Sequence, residues 1–273
     1  MRVLVKLGGR AIERQDQRLL TAGEIRTLRE HHEVILVHGG GYRVTALSER
    51  LGIPSRFVDG IRMTGEAEMD VVDMVLAGAV NTQLVRALNH HGVSAVGLTG
   101  ADAHLVTGVA MTDPGGQAAA AGNAGRRRPV TVATSTHTGT PESVSPGILE
   151  ALLAAGHTPV CGSVAADAAG RALNINADDF AVALAGAIAV DACLFVSDTE
   201  GVLLQGEIRS ALTAAEVEAA IADGSISGGM IPKVRATLRA LNAGSTAAVI
   251  GAVRTSGDLT GMLNGTTGTR IEP

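Results

Sequence analysis

The sequence predicts an α/β fold built on a mostly parallel sheet with helices on both faces, and three observations predict it. Short apolar runs alternate with helix-length segments for nearly the whole of the 273 residues, as in a chain of parallel βαβ units. The composition is 46% hydrophobic but only 1% aromatic, so the core must be Ala, Val, Leu and Ile, which suit strands buried on both faces. The apolar runs also end repeatedly in glycine. In open parallel sheets, ligands bind beyond the carboxyl ends of the strands.

Residues 2–7 are the first strand, which carries Lys6 into a turn at Gly8 and Gly9. Thr21-Ala-Gly-Glu24 has the spacing of a capping box and is expected to open a helix running to about His32. Residues 34–38, Val-Ile-Leu-Val-His, form a buried strand that stops at Gly39, Gly40 and Gly41. Glycines there let backbone amides approach a ligand, and the helix expected over 42–51 would aim the positive end of its dipole at the same spot. The result is an anion cradle, although it has neither the P-loop nor the dinucleotide glycine spacing.

Residues 57–64 read as a loop carrying Arg62, and 65–90 as one long helix closed by Gly92. Residues 94–98 form another buried strand. Residues 105–111 and 129–133 are expected to pair as a hairpin around a Gly- and Ala-rich flap ending in Arg126, Arg127 and Arg128, whose simplest reading is a solvated loop tip. A helix over 146–155, a strand over 158–162 and a turn over 167–171 lead to Leu-Asn174-Ile-Asn176-Ala-Asp178. Three polar side chains at period two, just before an apolar helix over 179–190, are more than capping requires.

The strand at 193–196 runs into Ser197-Asp198-Thr-Glu-Gly201. A second capping box, Thr213 to Glu216, opens a helix ending at Gly224. Ser-Gly-Gly229-Met230-Ile-Pro-Lys233 is then expected to precede an amphipathic helix to Leu241, with final strands at 247–250 and 269–271.

The net charge of −5 is scattered, leaving no basic stripe for nucleic acid and no polybasic membrane patch. Cys161 and Cys193 sit in apolar runs and read as reduced thiols of a cytoplasmic protein. The longest apolar stretch, 180–196, is interrupted by Gly186 and Asp191 and breaks into a helix and a strand. No linker or internal repeat divides the chain. The expected partner is a small molecule.

The chain has only two lysines, Lys6 and Lys233, each beside paired glycines. Phosphoryl transfer needs such positive charge and amide donors around equatorial oxygens, and an aspartate such as Asp178 would hold both ammonium groups. Metalloprotease, serine-hydrolase and dithiol motifs are absent. His31-His32 and His90-His91 lie at helix ends, where they satisfy terminal carbonyls.

These segments together, Val-Lys6-Leu-Gly-Gly, Val-His38-Gly-Gly-Gly, the Gly-Ile-Arg62-Met-Thr loop, Asn-Ile-Asn-Ala-Asp178, Ser-Asp198-Thr-Glu-Gly-Val and Gly-Gly-Met-Ile-Pro-Lys233, resemble the amino-acid kinase family, and within it the acetylglutamate kinases. The resemblance implies a three-layer α/β/α sandwich forming one continuous structural domain, with residues 1–172 binding the acyl amino acid and 173–273 binding ATP with Mg2+. It implies transfer to the side-chain carboxylate of N-acetyl-L-glutamate in arginine biosynthesis, with no resident protein metal site. By position, Lys6, Lys233 and Asp178 would be catalytic, and Gly40, Gly41, Arg62 and Asn174 would bind the substrate. Gly8, Gly9, Ser197, Asp198, Gly229 and Met230 would line the nucleotide site.

The sequence departs from the family at the padded hairpin and at Tyr42-Arg43. Two alternatives therefore stay open: a kinase for glutamate or aminoadipate held on a small acidic carrier protein, which Arg126–Arg128 would meet, and a nucleotide-binding regulator without turnover. Arginine-inhibited relatives carry an added N-terminal helix that interlaces dimers. With the first strand at Arg2, the expectation is a homodimer insensitive to arginine, paired through the broad apolar surface of the 65–90 helix.

Overall fold

Each strand of the central sheet alternates side chains between two apolar layers, so the sheet must be covered on both faces. The structure, a computed structural model, describes residues 1–113 and 134–273. Strand β1 (Arg2–Leu7) passes through a 3-10 turn at Gly9–Ile12 into α1 (Gln15–Arg29), and β2 (Glu33–His38) into α2 (Gly41–Arg50). A small hairpin, β3 (Phe57–Val58) and β4 (Ile61–Arg62), precedes a long helix made of α3 (Glu66–Val72), a π-helical stretch at Asp73–Val80 and α4 (Asn81–His90).

There follow β5 (Ala95–Thr99), β6 (Val106–Asp113), β7 (Thr134–Val144), α5 (Gly147–Ala154), β8 (Thr158–Gly162), β9 (Val164–Asp167) and β10 (Ala172–Ile175). The remainder comprises α6 (Ala177–Ala187), β11 (Ala192–Val196), the hairpin β12 (Leu203–Leu204) and β13 (Glu207–Ile208), and β14 (Ala211–Thr213) with α7 (Ala214–Ala222). Last come α8 (Met230–Asn242), β15 (Ala247–Gly251), α9 (Asp258–Asn264) and β16 (Thr269–Glu272).

The main sheet runs β14-β16-β15-β11-β1-β2-β8-β5, and within it only β15 and β16 pair antiparallel. Val3, Val5, Leu7, Leu36 and Val196 pack into one core, while Leu4, Ile35, Val37 and Phe195 pack into the other. The three-layer α/β/α expectation therefore holds. Register aligns Leu7 with both His38 and Val196, and His38 with Gly162. The carboxyl end of the sheet thus gathers the turns after the central strands β1, β2 and β11, which carry the glycines and Asp198.

Several local expectations are corrected. Helix α1 begins at Gln15, leaving Thr21 and Glu24 buried in its interior. Glu24 is instead drawn to the start of α9, where its carboxylate accepts from the amides of Gly257 at 2.8 Å and Leu259 at 3.0 Å. The other capping box forms as expected, with the Glu216 amide donating to Thr213 Oγ1 and the Thr213 amide to Glu216 Oε2.

Strand β6 pairs with β7 from Val106↔Val144 to Asp113↔Thr134, so its partner is 134–144. The expected partner at 129–133, the flap and Arg126–Arg128 lie outside the described residues. Strands β6, β7, β9 and β10 close into a small barrel that sequence periodicity did not reveal. Helix α8 begins at Met230, so Lys233 lies within its first turn, not before the helix. The run from Glu66 to His90 is long and apolar enough to cross a membrane, but half of its most apolar window is buried in the fold, as in a core helix.

Candidate active site

A cavity of about 390 Å3 opens beyond the carboxyl ends of β1 and β2. Its floor is two glycine turns in contact: a Cβ on Gly9 would lie 3.2 Å from Gly40 Cα, and one on Gly40 would lie 2.7 Å from Leu76 Cδ2. A side chain at either position would crowd that approach. The amides of Gly8 and Gly39 donate to Val196 O at 2.9 Å and Leu7 O at 3.1 Å. Those of Gly9, Gly40 and Gly41 meet no acceptor among the described residues, and the amide of Gly41 heads α2, where the helix dipole is positive. Gly9, Gly40 and Gly41 line the cavity; Gly8 does not.

Lys6 reaches this floor from the penultimate position of β1. Its Nζ lies 2.7 Å from Asp178 Oδ1, with both side chains nearly buried. Asp178 is held there by the start of α6: Asn176 accepts from the Asp178 amide at 2.8 Å and caps the helix. Of the three polar residues at period two, one is thus the cap, and Asn174 and Asp178 are free to face the cavity. Asn174 Nδ2 donates to Thr64 Oγ1 at 2.9 Å.

Arg62 forms part of the far wall but is not a free guanidinium. It pairs with the buried carboxylate of Glu68 and donates from Nη1 to Ser55 Oγ at 2.8 Å. Its Nη2 donates to Gly41 O at 2.9 Å and Thr45 Oγ1 at 2.6 Å, and the Phe57 ring lies 4.7 Å from Cζ. Thr138 Oγ1 donates to Arg62 O at 2.6 Å and accepts from the Thr64 amide at 2.8 Å. The loop bearing Arg62 is thereby pinned to β7 and α2, and Arg62 presents its charge while already engaged.

The other predicted residues form a second group at the ends of β11 and α8. Ser197 Oγ donates to Asp198 Oδ1 at 3.1 Å, and Arg10 Nη1 pairs with Asp198 Oδ2 at 3.1 Å. Desolvation pushes the Asp198 carboxyl up, but its own backbone amide, Ser197, Arg10 and the charge of Lys233 together hold it below the usual range. Gly229 is the N-cap of α8 and Met230 its first residue; Lys233 Nζ donates to Gly229 O at 3.3 Å. Asp178 was expected to hold both lysines. Among the described residues it pairs with Lys6 alone, because Lys233, one turn into α8, lies on the Asp198 side.

Glu68, Thr138, Ser163 and Leu76 line or brace the cavity without having been predicted. Thr138 lay in a visible signal, Thr134, Thr136, Thr138 and Thr140 alternating along one strand. Asn81, which holds His38, had none. The expected role of the helix-end histidines is seen at His91, whose Nδ1 lies 3.0 Å from Ala87 O.

Comparison with known proteins identifies the family. The pattern of the "Amino acid kinase family" matches residues 1–252. An acetylglutamate kinase of Geobacillus kaustophilus is 35% identical over 266 residues, which cover 97% of this chain and 95% of that protein. One of Gluconobacter oxydans is 41% identical over 221 residues, covering 79% and 71%. Among solved structures, smu.665 from Streptococcus mutans superposes with a TM-score of 0.80 at 26% identity over 99% of this chain and 98% of that one. N-acetylglutamate synthase from Neisseria gonorrhoeae, bound to coenzyme A and N-acetyl-glutamate, gives 0.80 at 18% identity over 100% and 59%, a likeness of fold. This chain is a kinase phosphotransferase and belongs to the amino-acid kinase family.

Proposed function

We propose that the protein transfers the γ-phosphoryl group of ATP to the side-chain carboxylate of free N-acetyl-L-glutamate, forming an acyl phosphate in arginine biosynthesis in the cytoplasm. The observation that carries this reading is the cavity itself, in which Lys6 and the unpaired amides of Gly9, Gly40 and Gly41 converge. Phosphoryl transfer to a carboxylate demands donors aimed at the equatorial oxygens of the moving group, and little covalent help from the protein. The names of the relatives support the acceptor.

In this reading, residues 1–172 hold the acyl amino acid and 173–273 the nucleotide. Arg62 and Asn174 bind the α-carboxylate, Ser197, Asp198, Gly229 and Met230 line the nucleotide site, and Lys233 completes the charge around the phosphoryl group once ATP is bound. Asp178 orients Lys6. Mg2+ neutralises phosphate charge when it arrives on the triphosphate. The donors facing the cavity, amides and the Lys6 ammonium, suit phosphate oxygens, and no cluster of three His, Cys, Asp or Glu side chains offers a separate metal site among the described residues. The homodimer remains part of this reading, but Val71, Val72, Val75 and Leu76 are buried in the chain's own core, so of the apolar residues expected to form its interface only Met74 is left exposed.

Trapping the acyl phosphate with hydroxylamine tests the acceptor, using MgATP with free, N-acylated and carrier-linked glutamate and aminoadipate. Hydroxamate from free N-acetyl-L-glutamate is expected. Product from carrier-linked substrate alone would replace this acceptor, and none from any would leave a nucleotide-binding regulator.

A further inference from the structure

His38 is the last residue of β2, immediately before the glycine cradle, and its ring is fully buried. Its Nδ1 lies 3.0 Å from Gly39 O and its Nε2 3.1 Å from Asn81 Nδ2. The Asn81 amide group also donates to Val160 O at 2.8 Å and Leu98 O at 3.3 Å. Two carbonyls therefore fix which end of Asn81 carries the hydrogens, since a flipped amide would set oxygen against oxygen. The amide has two hydrogens for three acceptors, so Gly39 O, a carbonyl that can only accept, decides the ring and leaves Nε2 as its acceptor. The proton must then be on Nδ1, donated to Gly39 O.

The surroundings are shaped for this pair. A Cβ on Gly97 would lie 2.0 Å from Asn81 Oδ1, so β5 leaves room for the amide through a glycine, while a Cβ on Gly162 would only touch His38 Nε2 at 3.4 Å. Burial holds the ring near a pKa of about 4 against the opposing bond to Gly39, in keeping with a neutral imidazole. In a trans peptide the C=O and N–H point to opposite sides. Holding Gly39 O toward the buried ring turns the Gly40 N–H away from it, and Gly40 lines the cavity with that amide unpaired.

We infer that His38 is a positioning residue for phosphoryl transfer: braced by Asn81, its Nδ1–H fixes the Gly39–Gly40 peptide so that the Gly40 amide points at the phosphoryl group in transfer. This rests on the proposed kinase reaction. An amide aimed at charge that develops in the transition state acts on kcat more than on substrate binding.

The test combines kinetics with 15N NMR of the histidine rings of the wild-type protein. His38→Leu should lower kcat by about 10- to 100-fold, with KM for both substrates within about 3-fold. His38→Asn, which restores a donor near the position of Nδ1, should recover most of that loss. Asn81→Leu should show the same split, and the double variant should be no worse than the poorer single, because the two act as one unit. The spectrum should show one neutral ring protonated at Nδ1 at pH 7. Wild-type kcat in His38→Leu, a loss confined to KM, no recovery in His38→Asn, or a ring protonated at Nε2 would each overturn the inference. If His38→Leu does not fold, His38→Asn and the wild-type spectrum still decide it. A wild-type protein that forms no acyl phosphate would remove the kinase reading, whereas an active wild type with insensitive variants removes only the role of His38.

Discussion

Lys6 Nζ and Asp178 Oδ1 lie 2.7 Å apart, joining the first strand to the start of the sixth helix with both side chains nearly buried. A buried ion pair stabilises a fold weakly, since desolvation offsets much of the attraction. Its position on the floor of a cavity with unpaired amides gives it a different significance: the ammonium is held in place for an anion.

Lys6→Ala should therefore lower kcat by about 100-fold or more, with a KM for the carboxylate substrate within a few-fold of wild type, as for a group acting mainly in the transition state. Lys233→Ala should do likewise. Initial rates against both substrates, with circular dichroism to check the fold, measure this. A wild-type kcat in either variant contradicts it.

Arg62 should combine binding with stability. Arg62→Ala leaves Glu68 buried without its partner and should destabilise the protein by about 3–5 kcal/mol while raising KM for the carboxylate substrate. Arg62→Ala/Glu68→Gln should recover part of the stability and none of the binding. Denaturant midpoints and KM values of the two variants separate the effects.

Glu24 should matter for stability alone. Glu24→Ala leaves the Gly257 and Leu259 amides without their acceptor and should cost about 1–3 kcal/mol in urea unfolding, with unchanged kinetics. A change in kcat at unchanged stability would show that α1 and α9 communicate with the cavity in another way.

The buried ring of His38 also predicts a pH dependence of stability. Its pKa is lowered from 6.5 to about 4, first by desolvation, so as pH falls below 6.5 the unfolded chain takes up a proton that the folded one refuses. Stability from this residue is complete above pH 6.5 and is lost progressively down to about pH 4, by up to about 3 kcal/mol. Unfolding midpoints at pH 7 and 4.5 should therefore differ less in His38→Leu than in wild type.

The buried strands, the glycine turns and the place of Lys6 were legible because an apolar run ending in glycine has one physical reading in a parallel sheet, whereas the order of strands across the sheet was not. Thr21 to Glu24 misled for an equally physical reason: capping spacing is local, whereas Glu24 finds its partners 233 and 235 residues away. The engagement of Arg62 with Glu68, and of His38 with Asn81, depends on how helices fold over the cradle, which no periodicity encodes. Lys233 was recognisable as a residue but not in its position, because Gly228 and Gly229 obscured where α8 begins.

The central claim, that this cavity phosphorylates the side-chain carboxylate of free N-acetyl-L-glutamate, is tested most directly by 31P NMR of the reaction mixture. With MgATP and N-acetyl-L-glutamate, an acyl phosphate resonance should grow as the γ-phosphate of ATP declines, and should be absent with Lys6→Ala. Loss of the γ-phosphate to inorganic phosphate alone, or an acyl phosphate formed equally by Lys6→Ala, would contradict the account.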